Sequence, residues 1–266
     1  MTYTKEDLIK QLKDMGIDKN DTIKVHVSYK AIHPTTDGPN TVIDALMEYM
    51  KEGLLVIPTH TWGVVNDDNP IYDPLSTKSN IGTIPNLFLE RKNVYRSLHP
   101  THSVAAYGED AFKFIKGEER FTTPCPRDGV YGKLFDKHAK ILLIGVTLNR
   151  NTYFHGVEEW IDIKNRVTDF KMPLKVLKDK KLIDVPSSRH TPLNVANNYN
   201  KANEILFNLK ALKESLFGNA KTLVLDAYKS KIIITKMLED MPDLFLDDKP
   251  LSDKQIKYYS NLDYNF

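Results

Sequence analysis

The chain has 266 residues, of which 41% are hydrophobic and 27% are charged, proportions that are typical of a globular protein. No stretch approaches the roughly 18 consecutive apolar residues of a membrane span. The 37 basic and 35 acidic residues are scattered along the chain and form no basic stripe for nucleic acid. Because a unit of this size buries most of the surface of its unfolded chain, we expect one continuous, soluble domain over residues 1–266 that binds neither a membrane nor nucleic acid.

The N-terminus, MTYTKEDLIKQ, shows neither a signal peptide nor a transit pattern, so we expect a cytoplasmic protein. Cys125 is the one cysteine of the chain, which excludes an intrachain disulfide and argues against a Cys-rich structural zinc site. Because Pro124 and Pro126 flank it without an adjacent histidine, we expect a packing residue; a lone nucleophilic cysteine is the alternative.

The N-terminal part of the chain alternates between helical and strand periods. The pattern predicts, in chain order, a surface helix in the first 20 residues, a strand at 22–28, a helix at 41–51 and a buried strand at 54–58. In the first strand, apolar residues alternate with Lys24 and His26, which is the period of a pleated segment. Asn40 or Thr41 is the expected cap of the second helix.

The rest of the chain continues this rhythm. It predicts strands at 103–108 and 141–146, a hairpin at 175–185 that turns at Asp179 and Lys180, a helix at 203–216, a strand at 222–228 and a last helix at 232–241. The segment 62–82 is too long and polar for a plain connector, and such loops are commonly functional or mobile. These elements favour an α/β fold with a mixed β-sheet flanked by helices in a single domain.

The strand HVSYK is followed by GPNTVIDAL, which opens a helix. A helix N-terminus presents free N–H groups with a partial positive charge, and this arrangement suits a phosphate or pyrophosphate. The segment matches neither the Walker loop nor the dinucleotide fingerprint. An ordinary turn before a capped helix therefore remains the alternative.

Two segments place histidines next to predicted strands. In RSLHPTHSVAAYG, His99 and His102 precede a strand, where an imidazole can act as a general base; a hydrogen-bonded structural histidine is the alternative. In NRNTYFHGVEEW, His155 and Glu158 share one face of a predicted helix, so the carboxylate can orient the ring. A solvated helix face with no catalytic role explains the same spacing.

Two further features of the sequence are candidates for a functional site: the acidic residues of the long loop and a set of potential metal ligands. The loop carboxylates attract a cationic acceptor or simply solvate the loop; they are Asp67, Asp68 and Asp73. Some of the candidate side chains are legitimate zinc ligands, namely His99, His102, His155 and Glu158. No compact motif such as HExxH is present, so we expect no metal.

In this order, the segments resemble the family of aminoglycoside 3-N-acetyltransferases. The matching blocks, between about residues 3 and 240, are HVSYKAI, GPNTVIDAL, LLVIPTHTW, YDPLSTKSNIGTIPNLF, RSLHPTHSVAAYG, TTPCPRDGVYGKL, ILLIGVTLNRNTYFHGVEE and TLVLDAYKSKIIITKML. The resemblance implies the fold of that family. It also implies acetyl transfer from acetyl-coenzyme A (acetyl-CoA) to the 3-amino group of an aminoglycoside, which is an antibiotic-resistance activity.

The resemblance further implies roles for individual residues. His155 matches the catalytic histidine, Glu158 its partner, and Asp67 an acceptor-binding residue of the loop. His102 and Ser103 match a block that lines the thioester end of the coenzyme pocket. The residues implied to hold the rest of the coenzyme are His26, Val27, Ser28, Tyr29, Lys30, Ala31, Gly38, Pro39, Asn40, Thr41 and Val42.

Two departures from the family pattern concern the substrates. Asp37 stands where the family often has a glycine before Gly38, which places a carboxylate beside the expected pyrophosphate. The established enzymes carry an acidic run after the hairpin, whereas this chain has PSSRHTPLNVANNYNK, with Arg189, His190 and Lys201 and no acidic residue. Such a segment attracts a polycationic drug poorly, and His190 is a candidate to select an anionic substrate instead.

The sequence therefore leaves several hypotheses open. The first is an aminoglycoside N-acetyltransferase, and the second is the same chemistry on a different, non-aminoglycoside amine. A His/Glu zinc hydrolase and a non-catalytic binding protein that keeps the fold are more distant alternatives. The sequence does not fix the oligomeric state, for which a homodimer is one option.

Overall fold

The computed structural model describes residues 2–191 and 195–266. Within these ranges the helices are α1 (Lys5–Asp14), α2 (Tyr29–Ile32), α3 (Gly38–Tyr49), α4 (Thr83–Leu89), α5 (Ala111–Ile115), α6 (Val130–Asp136), α7 (Thr152–Trp160), α8 (Asn203–Asn208), α9 (Ala227–Asp240) and α10 (Asp253–Ser260). Short 3-10 helices lie at Glu118–Arg120, Leu148–Arg150 and Tyr199–Ala202. None of the helices in this described part of the chain is long and apolar enough to cross a lipid bilayer.

The strands of the same ranges are β1 (Thr22–Val27), β2 (Leu54–Pro58), β3 (Ile71–Tyr72), β4 (Tyr95–Arg96), β5 (Val104–Gly108), β6 (Lys140–Ile144), β7 (Lys175–Lys178), β8 (Lys181–Asp184), β9 (Leu212–Phe217) and β10 (Ala220–Asp226). The central sheet has the order β4-β5-β2-β1-β6-β10-β9. In it β1 is parallel to β2 and β6, and the outer strands are antiparallel to their neighbours. A smaller sheet has the order β3-β7-β8. The expected mixed sheet flanked by helices is confirmed.

Helices cover both faces of the central sheet. One face packs against α1 and α3 through buried residues that include Leu8 and Leu46. The other face packs against α6, α7 and α9 through residues that include Leu134, Phe154 and Ile234. Because both faces are covered, the central strands are buried on both sides, as is usual for the parallel part of a sheet.

The predicted helix at 203–216 is wrong in its second half. α8 ends at Asn208, and the chain reverses through Lys210, which has a φ of +53°. Residues 212–217 then form β9, which pairs antiparallel with β10. Hydrogen bonding to the edge of β10 that faces away from β6 decides this conformation. The period of the apolar residues in the sequence does not reveal such a contact with another strand. The final helix, α10, was also missed.

A lysine lies in the middle of the buried β1 strand. The Lys24 side chain is fully buried, and its Nζ has no hydrogen-bond partner in the described part of the chain. The Nζ lies 4.7 Å from the centroid of the Tyr131 ring, so a cation–π contact stabilises its charged form. Burial lowers the pKa of Lys24 to about 7.

Lys24 should therefore make the stability of the protein depend on pH. A lysine in the unfolded chain titrates near 10.4, so between about pH 7 and pH 10 the unfolded state binds a proton that the folded state has released. The contribution of Lys24 to the free energy of unfolding consequently rises with pH across this window. Below pH 7 both states are charged, and the folded state bears the full cost of burying the ammonium group.

We expect Lys24→Met to be more stable than the parent protein by a few kcal/mol at pH 6, at about 1.4 kcal/mol per pKa unit, and the gain to shrink towards pH 10. Denaturant titrations at both pH values measure it. Lys213→Met, at an exposed position of β9, is the matched control and should change stability little at either pH. An equal gain for Lys24→Met at pH 6 and pH 10 contradicts the prediction.

Candidate active site

The carboxyl ends of the parallel strands β1, β2 and β6 meet at one edge of the central sheet. The amino end of β5 reaches the same edge, because Val104 pairs with Pro58 of β2 in antiparallel register. Ser28, His60 and His102 lie next to these strand ends. In open α/β sheets, ligands bind outside the carboxyl ends of the strands, at the point where the connections from two neighbouring strands lead to opposite faces of the sheet.

Two cavities lie at this edge, and they share Val27 and Ile81 in their walls. The larger one, of 810 Å³, is lined by five histidines and is called the histidine cavity here; they are His26, His60, His102, His155 and His190. The smaller one, of 750 Å³, is lined by residues 27–30, 33–35 and 81–84 and is called the loop cavity. Four of the expected coenzyme residues, Val27, Ser28, Tyr29 and Lys30, line the loop cavity.

Two glycines next to the cavities adopt backbone conformations that favour glycine. Gly145, which follows β6, has a φ of +66°, and a Cβ atom there would lie 2.4 Å from the Cβ of Ala31. Gly82, in the loop that lines the loop cavity, has a φ of +127°. L-residues with a side chain rarely adopt such angles, so both positions require glycine.

His155 and Glu158 lie on α7 as predicted, but a tyrosine links them. The direct contact between His155 Nδ1 and a Glu158 carboxylate oxygen is long, at 3.4 Å. The Tyr199 hydroxyl lies 2.8 Å from His155 Nδ1 and 2.7 Å from Glu158 Oε2. Glu158 is 1% exposed and His155 is 15% exposed, so the carboxylate is internal while the ring reaches the cavity wall.

This geometry fixes where the protons lie. A hydroxyl carries one proton and a carboxylate only accepts, so Tyr199 donates to Glu158 and accepts from His155 Nδ1–H. Burial and the neighbouring Glu158 raise the pKa of Tyr199 well above its usual value, which keeps the hydroxyl protonated. In the neutral ring, this tautomer leaves the lone pair on His155 Nε2, as a general base requires.

Arg166 balances the buried charge of Glu158. Its Nε donates to Glu158 Oε1 at 3.1 Å, and its Nη2 donates to the Pro242 carbonyl and to Asp243. The Arg166 side chain is 4% exposed. An internal carboxylate is tolerated only when it is paired and hydrogen-bonded, and these contacts meet that requirement.

His190 packs directly against the catalytic candidate. Its ring centroid lies 4.4 Å from that of His155 and 5.1 Å from that of His102. The chain pairs Val167 with His190 in an antiparallel bridge, so the segment that carries Arg166 also positions His190. Burial, and then the nearby His155, lower the pKa of His190 well below its usual value, which keeps this ring neutral.

His26 and His190 each have a buried Nε2 atom without a hydrogen-bond partner in residues 2–191 and 195–266. Both residues line the histidine cavity. Buried polar atoms are normally satisfied by the protein or by bound molecules. These two atoms are therefore hydrogen-bonding positions that the described part of the protein leaves unused.

Not every predicted site residue lines a cavity. His99 is a structural histidine: its Nε2 donates to the Thr123 carbonyl, its Nδ1 accepts from the His102 N–H, and burial lowers its pKa to about 4. Ser103 is fully buried and donates to the Thr59 carbonyl. Cys125 is buried, as expected of a packing residue.

The GPNTV segment differs from the expected phosphate cradle. α3 begins at Gly38 with Asp37 at the cap position, and Asn40 and Thr41 lie inside the helix, so the predicted cap is wrong. The N–H groups of Gly38 and Asn40 donate to protein carbonyls, and Pro39 has none. The implied residues that lie outside the linings of both cavities are Ala31, Gly38, Pro39, Asn40, Thr41 and Val42.

The long loop contributes Trp62 and Asn66 to the histidine cavity. Asp67 and Asp68 are exposed and lie outside its lining. Within the described residues, no group of three or more His, Cys, Asp or Glu side chains is placed to hold a metal ion.

Sequence reasoning missed Tyr199, Arg166 and His60. Tyr199 lies 44 residues from His155 along the chain, and no local pattern links a tyrosine of a short 3-10 helix to α7. Arg166 likewise follows α7 in a loop. His60 could have been found from the sequence, because it follows the buried strand β2 by two residues. His102 was selected for a similar reason, since it stands just before a strand.

Removing Arg166 should reveal how strongly Glu158 depends on it. We expect Arg166→Met to lower the free energy of unfolding by about 3–5 kcal/mol, because it leaves a buried carboxylate without its cation. Adding Glu158→Gln should recover part of the loss. Denaturant titration of both single variants and the double variant measures the coupling. The control is Arg127→Met, at a half-buried arginine that is paired with the partly exposed Asp136. Strictly additive losses contradict the pairing.

Known proteins resemble this chain in sequence. An aminoglycoside N(3')-acetyltransferase-like protein of Bacillus subtilis, YokD, is 27% identical over 176 residues, 58% of this chain and 64% of that protein. Aminoglycoside N(3)-acetyltransferase IV of Salmonella sp is 31% identical over 159 residues, 59% of each chain. The matched segment thus spans about three fifths of the length of these relatives.

Solved structures share the fold over nearly the whole chain. The apoenzyme of aminoglycoside acetyltransferase AAC(3)-IVa is 25% identical and has a TM-score of 0.77, covering 93% of this chain and 92% of that one. AAC-IIIb, solved as a binary complex with CoASH, is 20% identical with a TM-score of 0.79 and covers 90% and 97%. The model of the aminoglycoside 3-N-acetyltransferase family matches residues 25–239, and the chain therefore belongs to that family.

Proposed function

We propose that this protein transfers an acetyl group from acetyl-CoA to the nitrogen of a small-molecule amine. The observation that carries the proposal is the hydrogen-bonded relay Glu158–Tyr199–His155, whose histidine lines one cavity. That cavity shares two wall residues with a second one. Family membership supports the same chemistry. It also supports an aminoglycoside acceptor, whereas the charge of the histidine cavity favours a different amine.

The loop cavity suits the coenzyme. Ser28, Tyr29 and Lys30 line it, and the Lys30 ammonium group adds a positive charge that suits a phosphate. The two cavities share Val27 and Ile81. The pantetheine arm of a coenzyme bound in the loop cavity can therefore bring its thioester to the histidines. The unpartnered Nε2 atoms of His26 and His190 provide hydrogen-bonding positions there.

His155 would act as the general base. The thioester supplies the acyl carbon, which forms a bond to the amine nitrogen while its bond to sulfur breaks. An amine must lose a proton as it attacks, and His155 Nε2 receives that proton and returns it to the leaving sulfur. Tyr199 and Glu158 hold the ring and stabilise its charged form, so no acyl-enzyme is needed.

His102 would stabilise the developing oxyanion. It lines the histidine cavity, and its Nδ1 lies 3.0 Å from the Thr101 hydroxyl. When that hydroxyl donates to Nδ1, the proton of the neutral ring lies on Nε2, where it is a donor. Preorganised donors of this kind are a large contribution to acyl transfer.

His155→Ala should lower acetyl transfer by about 10²–10⁴-fold, which is the usual contribution of a general base. Coenzyme binding should be nearly unchanged, because the loop cavity keeps its walls. Turnover of acetyl-CoA with a panel of amines measures the rate of acetyl transfer, and the thermal shift with coenzyme A measures coenzyme binding.

His138→Asn is the matched control for this experiment. His138 is exposed, lines neither cavity and has a φ of +48°, a conformation that asparagine tolerates. The control should behave as the parent protein. Undiminished turnover in His155→Ala contradicts the assignment of the base, and the lack of any thermal shift with coenzyme A or acetyl-CoA contradicts the proposed function itself.

Tyr199→Phe should lower kcat by about 10- to 100-fold, as expected for the loss of a hydrogen bond to a charged group, with little change in the KM for acetyl-CoA. A merely structural tyrosine would not change the tautomer of His155, so ¹⁵N NMR of the histidine rings is the second measurement. We expect Nδ1–H in the parent protein and a mixture of tautomers in the variant.

Tyr153→Phe provides the control. Tyr153 is also buried on α7, but its hydroxyl donates to the Ala227 carbonyl. It should lose stability without changing the tautomer of His155. If Tyr199→Phe keeps the kcat and the His155 tautomer of the parent protein, Tyr199 does not orient His155 and this role is contradicted.

A further inference from the structure

The walls of the histidine cavity contain no carboxylate among the described residues. Its charged side chains are those of two arginines, Arg150 and Arg189. Residues 192–194, which have the sequence Pro-Leu-Asn, add no charge. A cavity with this composition repels a polycation and attracts an anion.

The carboxylates nearest in sequence to the site do not change this balance. Glu158 is paired with Arg166. Glu159 accepts hydrogen bonds from the Thr123 hydroxyl and the Cys125 N–H. Asp67 is exposed on the long loop, outside the lining of the cavity. The negative field that an aminoglycoside requires is therefore missing from the walls.

Arg150 and Arg189 are available for binding. Both are exposed, and neither forms an ion pair with a carboxylate in residues 2–191 and 195–266. The Arg189 guanidinium lies 5.3 Å from the centroid of the Phe170 ring, which limits its orientations. A guanidinium of this kind binds a carboxylate or a phosphate through two parallel hydrogen bonds.

We propose that the acceptor is a small primary amine that carries an anionic group, a carboxylate or a phosphonate, with Arg150 and Arg189 binding the anion while His155 faces the amine. This inference rests on the proposed function, since it names the acceptor of the same reaction. A cavity of 810 Å³ lies within the range of small-molecule sites. The neutral His190, with its unpartnered Nε2, gives the acceptor a further polar contact.

A series of acceptors that differ only in charge tests the proposal. The compounds are 5-aminopentanoate, 5-aminopentylphosphonate, pentylamine, 1,5-diaminopentane and gentamicin, assayed with saturating acetyl-CoA. We expect at least one anionic compound to exceed pentylamine in kcat/KM by about tenfold or more, and the two polycations to fall below pentylamine. The ranking of carboxylate against phosphonate identifies the anion.

Variants show whether the arginines bind the acceptor or the coenzyme. In the Arg150→Ala/Arg189→Ala double variant, the preference for the anionic amine over pentylamine should fall to about onefold, while the KM for acetyl-CoA stays unchanged. Arg120→Ala is the matched control. Arg120 is another exposed arginine over a phenylalanine ring, 4.6 Å from the Phe121 centroid, but it lines neither cavity.

Two outcomes overturn the inference directly. One is a kcat/KM for gentamicin or 1,5-diaminopentane at or above that of both anionic amines. The other is a double variant that raises the KM for acetyl-CoA and keeps its amine preference, because the arginines would then bind the coenzyme.

A binding readout separates this inference from the proposed function. Trp62 lines the cavity and is 54% exposed, so its fluorescence reports ligands there, with Trp62→Phe to assign the signal. If no amine is acetylated, the proposed function fails, and the titration then decides the inference alone. Saturable binding of an anionic amine, at least about tenfold tighter than that of the diamine, supports it. Equal binding, or none, overturns it.

Discussion

A carboxylate buried in the interior, that of Glu158, organises the groups on which the site depends. Taking such a charge out of water is unfavourable unless the surrounding protein supplies a counter-ion and donors, and here Arg166 and Tyr199 supply them. Arg166 lies 8 residues after Glu158 in the chain, whereas Tyr199 lies 41 residues after it. The need to satisfy one carboxylate therefore fixes α7 against the 3-10 helix at Tyr199–Ala202 and orients the ring of His155.

The central sheet places this arrangement where ligands can reach it. Covering both faces of β1, β2 and β6 leaves their carboxyl ends as the accessible edge, and the histidines gather there. The same burial keeps four of these rings neutral, because desolvation lowers the pKa values of His26, His60, His102 and His190. With these rings, His155 and two exposed arginines in its walls, the cavity can accept a proton from an amine without presenting a carboxylate to it.

Sequence patterns were sufficient for the elements whose signals are local. The strands around Val25, Val56 and Leu143, the turn at Asp179 and Lys180, and the helix of His155 were all predicted. What could not be predicted depends on contacts distant in the chain. The pairing of β9 with β10 overrides a helical pattern, and Tyr199 reaches Glu158 from a 3-10 helix 41 residues further along the chain. The amides of Gly38 and Asn40 donate to carbonyls of the protein itself.

The central claim is that a thioester delivered through the loop cavity meets His155 in the histidine cavity. A crystal structure of the protein with coenzyme A tests it most directly. The account predicts the pantetheine arm against Ser28, Tyr29 and Lys30, and the sulfur near Val27 and Ile81 on the side of His155 Nε2. Coenzyme A bound elsewhere, or with its sulfur directed away from His155, would contradict the account.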